Sequence, residues 1–425
     1  MNFHFKTLGC KVNQYETEAM KEALLRDGHT ADISKQADAV IINSCTVTAE
    51  SDRKTRQLLH RIRKDNPSAV IVLTGCMVQA FPEKAKELND ANIIIGNRNT
   101  SNVIKAIETY KNNKLFSIEN HNKNDMYIGL DISNFSERTR AFMKIEDGCN
   151  RYCSYCIIPK ARGFVRSRPL DSIKSEALAL AENGYSEIVL VGINLSAYGL
   201  GTDYNICDAV DAVCHIDGIK RVRLGSLEPD HITDEMLLRL KKQDKFCPQF
   251  HLSLQSGCDE TLKRMNRHYN PEFYYDLISR IRSMFNNASI TTDIMVGFPG
   301  ETEQEFKESV EFVKKAGFSR SHIFAYSRRS GTAADNMPCQ ISKSQKQVRV
   351  QKMLQVTNLS EINFLKTQIG LTEPVLFEKT KNGVNEGYTP NYTRVCVDLN
   401  ENLEGKIINV KFTGFSDDFL IGTIV

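Results

Sequence analysis

The sequence predicts an α/β protein in three parts: an amino-terminal parallel α/β domain over residues 1–115, a central partial (β/α)6 barrel over residues 135–365, and a small carboxy-terminal β-barrel over residues 367–425. Three observations carry this. Short apolar runs alternate with helical patterns before residue 115, and the alternation resumes after about residue 135, which is the signature of parallel strands with crossover helices. The last 59 residues change to short alternating runs separated by Gly- and Asn-bearing turns. A chain of 425 residues, at roughly 150 residues per domain, has room for all three. Its 41% hydrophobic and 25% charged content is that of a chain able to bury real cores.

In the first part the strand candidates are NFHFKTL, DAVIINS, AVIVLTG and ANIIIG, separated by the helical stretches ETEAMKEALLRDG, TAESDRKTRQLLHRIRKD and FPEKAKELND. Residues 116–134, with the Asn-rich ENHNKND, hold no useful apolar period and read as a linker. The second part has six strand candidates, RAFMKIED, EIVLVGIN, RVRLGSLE, QFHLSLQS, ITTDIMVGF and SHIFAYS, with helices such as DSIKSEALALAENG and PEFYYDLISRIRSMFNN between them. Chemistry in such a barrel sits at the carboxyl ends of the strands. A polar helix, ISKSQKQVRVQKMLQVTNLSEINFLKTQ, closes that part, and EPVLFEKT, TRVCVDL, KIINVKFTG and FLIGTIV supply the strands of the small barrel.

No apolar run reaches the 18 or so residues of a membrane span, and MNFHFKT lacks the basic and apolar regions of a signal peptide, so the expected compartment is the cytoplasm, with no membrane partner. With 55 Lys and Arg against 52 Asp and Glu, a nucleic-acid partner would have to be held by local patches. Twelve cysteines in a cytosolic chain point away from disulfides and toward metal or redox chemistry. Cys207, Cys214, Cys247, Cys258, Cys339 and Cys396 lack ligand-like spacing and read as packing residues. Cys10, Cys45 and Cys76 each end one of the first three strands, in FKTLGC, VIINSC and VIVLTGC, and should converge. They read either as three buried thiols or as a ligand set, with small neighbours leaving room for a bulky group to approach the backbone.

The strongest motif is DGCNRYCSYCIIPKARG, where Cys149, Cys153 and Cys156 have the spacing C-x3-C-x2-C just after the first barrel strand. Three thiolates can hold three irons of a [4Fe-4S] cluster and leave the fourth open for a substrate. Zinc is the alternative, although no fourth Cys or His follows at the usual spacing.

With Tyr155 as the aromatic residue, C-x3-C-x-aromatic-C at the mouth of a β/α barrel resembles the radical S-adenosylmethionine (SAM) enzymes. TLGCKVNQYE, NSCTVT, TGC, EDGCNRYCSYCIIPKARG, LGSLEP, HLSLQSGCDETLKRMNR, TTDIMVGFPGET and YSRR, in that order, are similar to the methylthiotransferase family within that group. TLGCKVNQYE with NSCTVT is most similar to the branch acting on N6-threonylcarbamoyladenosine at position 37 of tRNA. The resemblance implies a radical SAM core in the central barrel and an RNA-binding TRAM domain in the carboxy-terminal one.

The resemblance also implies two [4Fe-4S] clusters and SAM as cofactors. Cys149, Cys153 and Cys156 would hold the cluster that splits SAM, and Cys10, Cys45 and Cys76 a second cluster carrying the sulfur to be transferred. The six cysteines are thus both the catalytic and the metal-ligating candidates. The C2 hydrogen of adenine is not acidic, so radical abstraction suits it better than acid–base chemistry. Partners would be tRNA, with an electron donor and a sulfur donor that the sequence does not identify. Isopentenyladenosine in tRNA and a ribosomal-protein aspartate are alternative substrates within the family. A non-catalytic Fe–S RNA-binding redox sensor is the alternative outside it.

Cofactor-binding candidates at the barrel mouth are Tyr155 in the motif, Asn194 in LVGIN, Glu228 in LGSLEP and Gln255 in HLSLQSG; each of the last three also reads as a polar cap on a strand or turn. Gly297, Pro299 and Gly300 in GFPGET read as architecture. For RNA, Arg151, Lys160, Arg162, Arg166 and Arg168, interleaved with Tyr152, Tyr155 and Phe164, form one candidate patch. The helix with Arg53, Lys54, Arg56, Arg61, Arg63 and Lys64 is a second, or simply a solvated face. Residues 367–425 hold five Lys or Arg, at 379, 381, 394, 406 and 411, against eight Asp or Glu, so any RNA affinity there would need its basic residues gathered on one face.

Overall fold

A computed structural model of the chain describes residues 1–98, 101–111, 113–135 and 139–425. The amino-terminal part is a five-stranded, all-parallel sheet in sequential order: β1 (Phe3–Thr7), β2 (Ala39–Ser44), β3 (Val70–Gly75), β4 (Ile93–Ile95) and β5 (Leu115–Ser117). Both faces are covered, as a parallel sheet requires. Helices α1 (Lys11–Arg26) and α5 (Ser101–Glu108) bury Met20, Leu24, Val103 and Ile107 on one face, while α2 (Ala49–Asp65) and the short α4 (Pro82–Lys86) bury Leu59, Ile62 and Ala85 on the other. Helix α3 (Cys76–Ala80) starts directly at the end of β3.

The central part holds six parallel strand positions. They are β6 (Ala141–Lys144), β9 (Glu187–Val191), a third strand divided at Gly225 into β10 (Arg221–Leu224) and β11 (Ser226–Leu227), β12 (Gln249–Leu252), β13 (Ser289–Val296) and β14 (Arg320–Ala325). Between β6 and β9 lie α6 (Ile158–Arg162), α7 (Leu170–Glu182) and an antiparallel pair, β7 (Glu146–Asp147) and β8 (Arg166–Ser167). Helices α8 (Ile206–Cys214), α9 (Asp234–Lys241), α10 (Asp259–Arg264), α11 (Pro271–Met284) and α12 (Glu303–Ala316) complete the crossovers. Among the described residues β14 and β6 do not pair, so the barrel is open there. Alongside β6, α1 adds Val12, Tyr15 and Ala19 to the core of the barrel. That docking fixes the amino-terminal sheet against the barrel mouth.

Of the linker residues 116–134, Phe116 and Ser117 belong to β5 and the rest form a strap docked on the parts it joins. Tyr127 donates to the Lys144 carbonyl at 2.9 Å, Asp131 pairs with Arg168 at 2.6 Å, and Ile132 is buried. Other partners lie in the amino-terminal part, where Arg98 holds Glu119 and Asp125 and Glu22 accepts from Ser133, so no periodicity within the strap itself reveals them. Helix α13 (Lys343–Gln368) then runs down to a closed carboxy-terminal barrel of β15 (Thr372–Lys381), β16 (Val384–Tyr388), β17 (Arg394–Asp398), β19 (Phe419–Ile424) and β18 (Ile407–Ser416). This small barrel docks at the amino ends of the central strands, opposite the mouth: Arg221 donates to the Tyr388 carbonyl at 3.0 Å and Arg223 to that of Pro390 at 2.8 Å. Among the described residues no helix is long and apolar enough to cross a membrane.

Candidate active site at the barrel mouth

Cys149, Cys153 and Cys156 lie on the loop that follows β7, and the loop is pinned from several sides. Cys149 N–H donates to the Gly163 carbonyl at 2.9 Å, Ser154 N–H to Met265 at 3.0 Å, and Cys156 N–H to Cys153 at 2.9 Å. Gly148, at φ +86°, precedes the loop; a Cβ there would lie 1.9 Å from the Phe164 carbonyl oxygen, so only glycine allows this approach.

Every sulfur of this set has a donor. The backbone N–H of Arg151 points at Cys149 Sγ (3.5 Å), that of Ile158 at Cys156 Sγ (3.4 Å), and Arg267 Nη1 at Cys153 Sγ (3.2 Å). Burial pushes the Cys149 thiol up to about 12 and Cys156 higher still. Such thiols stay protonated unless a metal displaces the proton. Donors aimed at sulfur are what orients and tunes a thiolate ligand, so these residues suit an iron–sulfur cluster. Among the described residues no three side chains are drawn around a single-ion position. Sulfurs serving the corners of a larger inorganic core have no need to be.

Of the other predicted residues, Asn194, Glu228 and Gln255 each lie just beyond a strand's carboxyl end, and Tyr155 lies within the cysteine loop. Asn194 is buried; its N–H donates to Glu146 Oε2 at 2.7 Å, and its Oδ1 has no partner. Gln255, at φ +66°, is also buried with its Oε1 unpartnered. Glu228 is tied to Arg267, with Nη1 at 3.3 Å, and Arg267 also donates to the Ser253 carbonyl at 3.3 Å. Tyr155 packs edge-on against Phe298, ring centres 6.4 Å apart, and so forms part of the apolar wall. Buried polar atoms without partners are uncommon and mark a place where a polar ligand completes the set.

Two residues that the sequence reading did not single out belong here. Glu146 is fully buried with Oε1 unpartnered, and burial, reinforced by Asp147, pushes its carboxyl well above the usual range. Arg267 joins Cys153 to Glu228 and stands only in the block HLSLQSGCDETLKRMNR. Arginines three residues apart in that block are indistinguishable without the fold.

Cys10, Cys45 and Cys76 do converge. Asn13 Oδ1 accepts from Cys10 Sγ at 3.5 Å and lies 4.0 Å from Cys76 Sγ, and a Cβ on Gly9 would come within 3.0 Å of Cys45 Cβ. Cys10 faces solvent, whereas Cys45 and Cys76 are buried. Gly75, at φ +100°, turns the chain into α3; a Cβ there would meet Ser44 N and O at 2.5 Å. Helix α3, which Cys76 begins, packs on α6, which follows Cys156, through Ala80, Phe81, Ile157 and Ala161. The two cysteine sets therefore flank one helix pair.

The basic residues around the motif correct the expectation of an RNA-gripping patch. Arg162, Arg166 and Arg168 are buried, and Arg151 is nearly so, paired with Asp230. Their partners Glu16, Asp147 and Glu176 lie on other elements. Only Lys160 and Tyr152 remain exposed. On α2, Arg63 is tied to the carbonyls of Pro67, Ala69 and Asp90, whereas Lys54, Arg56, Arg61 and Lys64 are exposed. Gly297 and its neighbours hold α13: Gly297 N–H donates to Glu301 Oε2 at 2.7 Å, and Arg349 of α13 donates to the Glu301 carbonyl at 2.9 Å.

Comparison with known proteins agrees with this geometry. Residues 143–313 match the model of the Radical SAM superfamily, and residues 2–96 that of Uncharacterized protein family UPF0004. The chain is 36% identical over 417 residues to the threonylcarbamoyladenosine tRNA methylthiotransferase MtaB of Bacillus subtilis, covering 96% of this chain and 92% of that protein. It is 37% identical over 391 residues to the protein of the same name from Thermotoga maritima, covering 92% and 89%. It is 34% identical over 421 residues to a tRNA-2-methylthio-N(6)-dimethylallyladenosine synthase of Clostridium botulinum, covering 96% and 94%. In fold it is similar to the radical S-adenosylmethionine methyltransferase TsrM of Kitasatospora setae, solved with cobalamin and a [4Fe-4S] cluster bound, with a TM-score of 0.58 at 12% identity over 91% of this chain and 77% of that one.

Proposed function

The chain belongs to the methylthiotransferase family of radical SAM enzymes, and from that premise we propose that it converts N6-threonylcarbamoyladenosine in tRNA to its 2-methylthio derivative. Methylthiolation of tRNA is common to relatives of both names. The choice of threonylcarbamoyladenosine follows the relatives from Bacillus subtilis and Thermotoga maritima, together with TLGCKVNQYE and NSCTVT around Cys10 and Cys45.

The observation that carries the reading is the meeting of two cysteine sets across α3 and α6. When bound, a reduced [4Fe-4S] cluster and SAM supply a deoxyadenosyl radical, and a second cluster supplies the sulfur. The chain's own residues do the rest. Cys149, Cys153 and Cys156 hold the first cluster at the mouth, with Arg267 and two backbone N–H groups set on their sulfurs. Asn194 and Gln255 have unpartnered buried side-chain oxygens with which to bind SAM, and Glu228, fixed by Arg267, offers its carboxylate to a ribose hydroxyl. Cys10, Cys45 and Cys76 hold the second cluster. The exposed Lys54, Arg56 and Lys64 of α2, with Lys160, meet tRNA phosphates. The carboxy-terminal barrel is assigned as a TRAM domain by its place in the chain and its strand pattern.

Mass spectrometry of tRNA nucleosides tests the substrate. Cells lacking the protein should lose the methylthio form of threonylcarbamoyladenosine and regain it when the protein is returned. Loss of the isopentenyladenosine derivative instead would transfer the assignment to that substrate.

A further inference from the structure

Beneath the two cysteine sets lies a buried group of five charges. Lys144 donates to Glu16 Oε1 at 2.8 Å and to Asp147 Oδ2 at 2.7 Å; Arg162 is forked onto Glu16, with Nη2 to Oε2 at 2.9 Å; Arg166 Nη2 lies 3.3 Å from Asp147 Oδ2. All five side chains are less than a tenth exposed. Burial opposes the charge of Glu16, yet Arg162 and Lys144 prevail and hold its carboxyl below the usual range; Asp147 is held lower still, and the Lys144 ammonium is raised by the two carboxylates.

Lys144, Arg162 and Arg166 thus share the carboxylates of Glu16 and Asp147 inside the protein, where a buried charge needs its partners. The remaining donor of Arg162, Nε, points at Cys76 Sγ from 3.1 Å, and Arg162 Nη2 and both Cys10 and Cys76 sulfurs share Asn13 Oδ1. The fork onto Glu16 thus fixes the Arg162 guanidinium with its Nε against the sulfur of Cys76.

We propose that Arg162 is a positioning residue for the second cysteine set: its guanidinium, forked onto Glu16, sets a buried donor on the sulfur of Cys76 and thereby sets the potential of the cluster bound there. The sequence of Arg162 explains the coupling: it stands six residues after Cys156, so the segment that carries the first set also stabilises the second. The inference rests on the assignment of a cluster to Cys10, Cys45 and Cys76.

Reduction makes a cluster more negative, so a buried cation nearby favours the reduced form. The test uses full-length Cys149→Ala/Cys153→Ala/Cys156→Ala protein, reconstituted anaerobically so that only the second set can carry a cluster, with midpoint potential followed by EPR. Adding Arg162→Met should shift the potential to a more negative value. Adding Glu16→Gln, which removes a negative charge from the same group, should shift it the opposite way. Arg162→Lys, which keeps the charge and loses the fork, should lie nearer the parent than Arg162→Met does. A general disturbance of packing would not produce shifts of opposite sign. Unchanged potentials, or shifts of one sign, overturn the role of Arg162 while leaving the cluster in place. A parent variant that binds no cluster overturns the cluster assignment itself. If Arg162→Met does not fold, the sign of the shift in Glu16→Gln decides.

Discussion

Arg267 Nη1 lies 3.2 Å from the sulfur of Cys153, and the same guanidinium holds the carboxylate of Glu228. One buried side chain therefore sets both a residue proposed to hold the first cluster and one assigned to the ribose of SAM.

Arg267→Met should therefore lower formation of 5′-deoxyadenosine by about 10–100-fold, the usual cost of losing a partner that orients a metal ligand. Arg267→Lys keeps a charge near Cys153 but loses the fork onto Glu228, so it should raise the KM for SAM more than it lowers kcat. The check is steady-state cleavage of SAM with chemical reductant; equal kinetics in all three proteins would remove Arg267 from the site.

The two cysteine sets should separate chemically. Replacing Cys149, Cys153 or Cys156 with Ala should abolish release of 5′-deoxyadenosine. Replacing Cys10, Cys45 or Cys76 should leave measurable cleavage and stop methylthiolation of tRNA. Chromatographic assay of both products distinguishes the sets, and normal methylthiolation by the second group of variants would refute the division of roles.

Gly148→Ala should cost stability and cluster content together. The positive φ alone costs about 1–3 kcal/mol for a side chain held there, and the new Cβ would collide with the Phe164 carbonyl. Chemical denaturation of the apoprotein and iron analysis after reconstitution should both report the loss.

Glu187 is fully buried under three guanidiniums, with Arg223 at 3.0 Å, Arg221 at 3.5 Å and Arg140 at 3.7 Å. Burial opposes its charge, but these partners hold the carboxyl below the usual range. Arg140 also pairs with Glu378 and lies against the stacked rings of Tyr388 and Tyr392. Glu187→Ala should destabilise the protein by about 3–5 kcal/mol, as expected when a buried ionic group loses its partner, and should loosen the carboxy-terminal barrel. Denaturant melts and hydrogen exchange in residues 372–424 would show it.

His121 of the strap is neutral in the fold: burial, helped by Arg166 and Arg162, lowers its pKa from 6.5 to about 4. A lowered folded-state value means that the unfolded chain binds the extra proton first. The contribution of His121 is thus complete above pH 6.5 and is lost as the pH falls toward 4. His121→Gln should flatten the pH dependence of apoprotein stability in that window, read by denaturant midpoints at pH 7 and pH 5.

The strands and the two cysteine sets were legible because their signals are local: period-2 apolar runs, and cysteines placed at run ends. The roles of Arg162, Arg166 and Arg168 were not, because an arginine in RYCSYCIIPKARGFVRSR looks the same whether it faces RNA or a buried carboxylate. Its partner decides, and Glu16 lies 146 residues from Arg162. Strand β5 is only three residues long, and the strap beyond it is polar because its hydrogen bonds are made to both flanking parts, to Arg98 and Glu22 on one side and to the Lys144 carbonyl on the other. Glu146 likewise reads as an ordinary strand-end acid until its burial is seen.

The most direct test of two cluster sites is iron and acid-labile sulfide analysis, with Mössbauer spectra, on anaerobically reconstituted protein. Two [4Fe-4S] clusters give about eight irons per chain, and substituting either complete cysteine set with Ala should leave about four. A wild-type chain that holds only about four irons, or a Cys10→Ala/Cys45→Ala/Cys76→Ala variant that still holds about eight, would contradict the account.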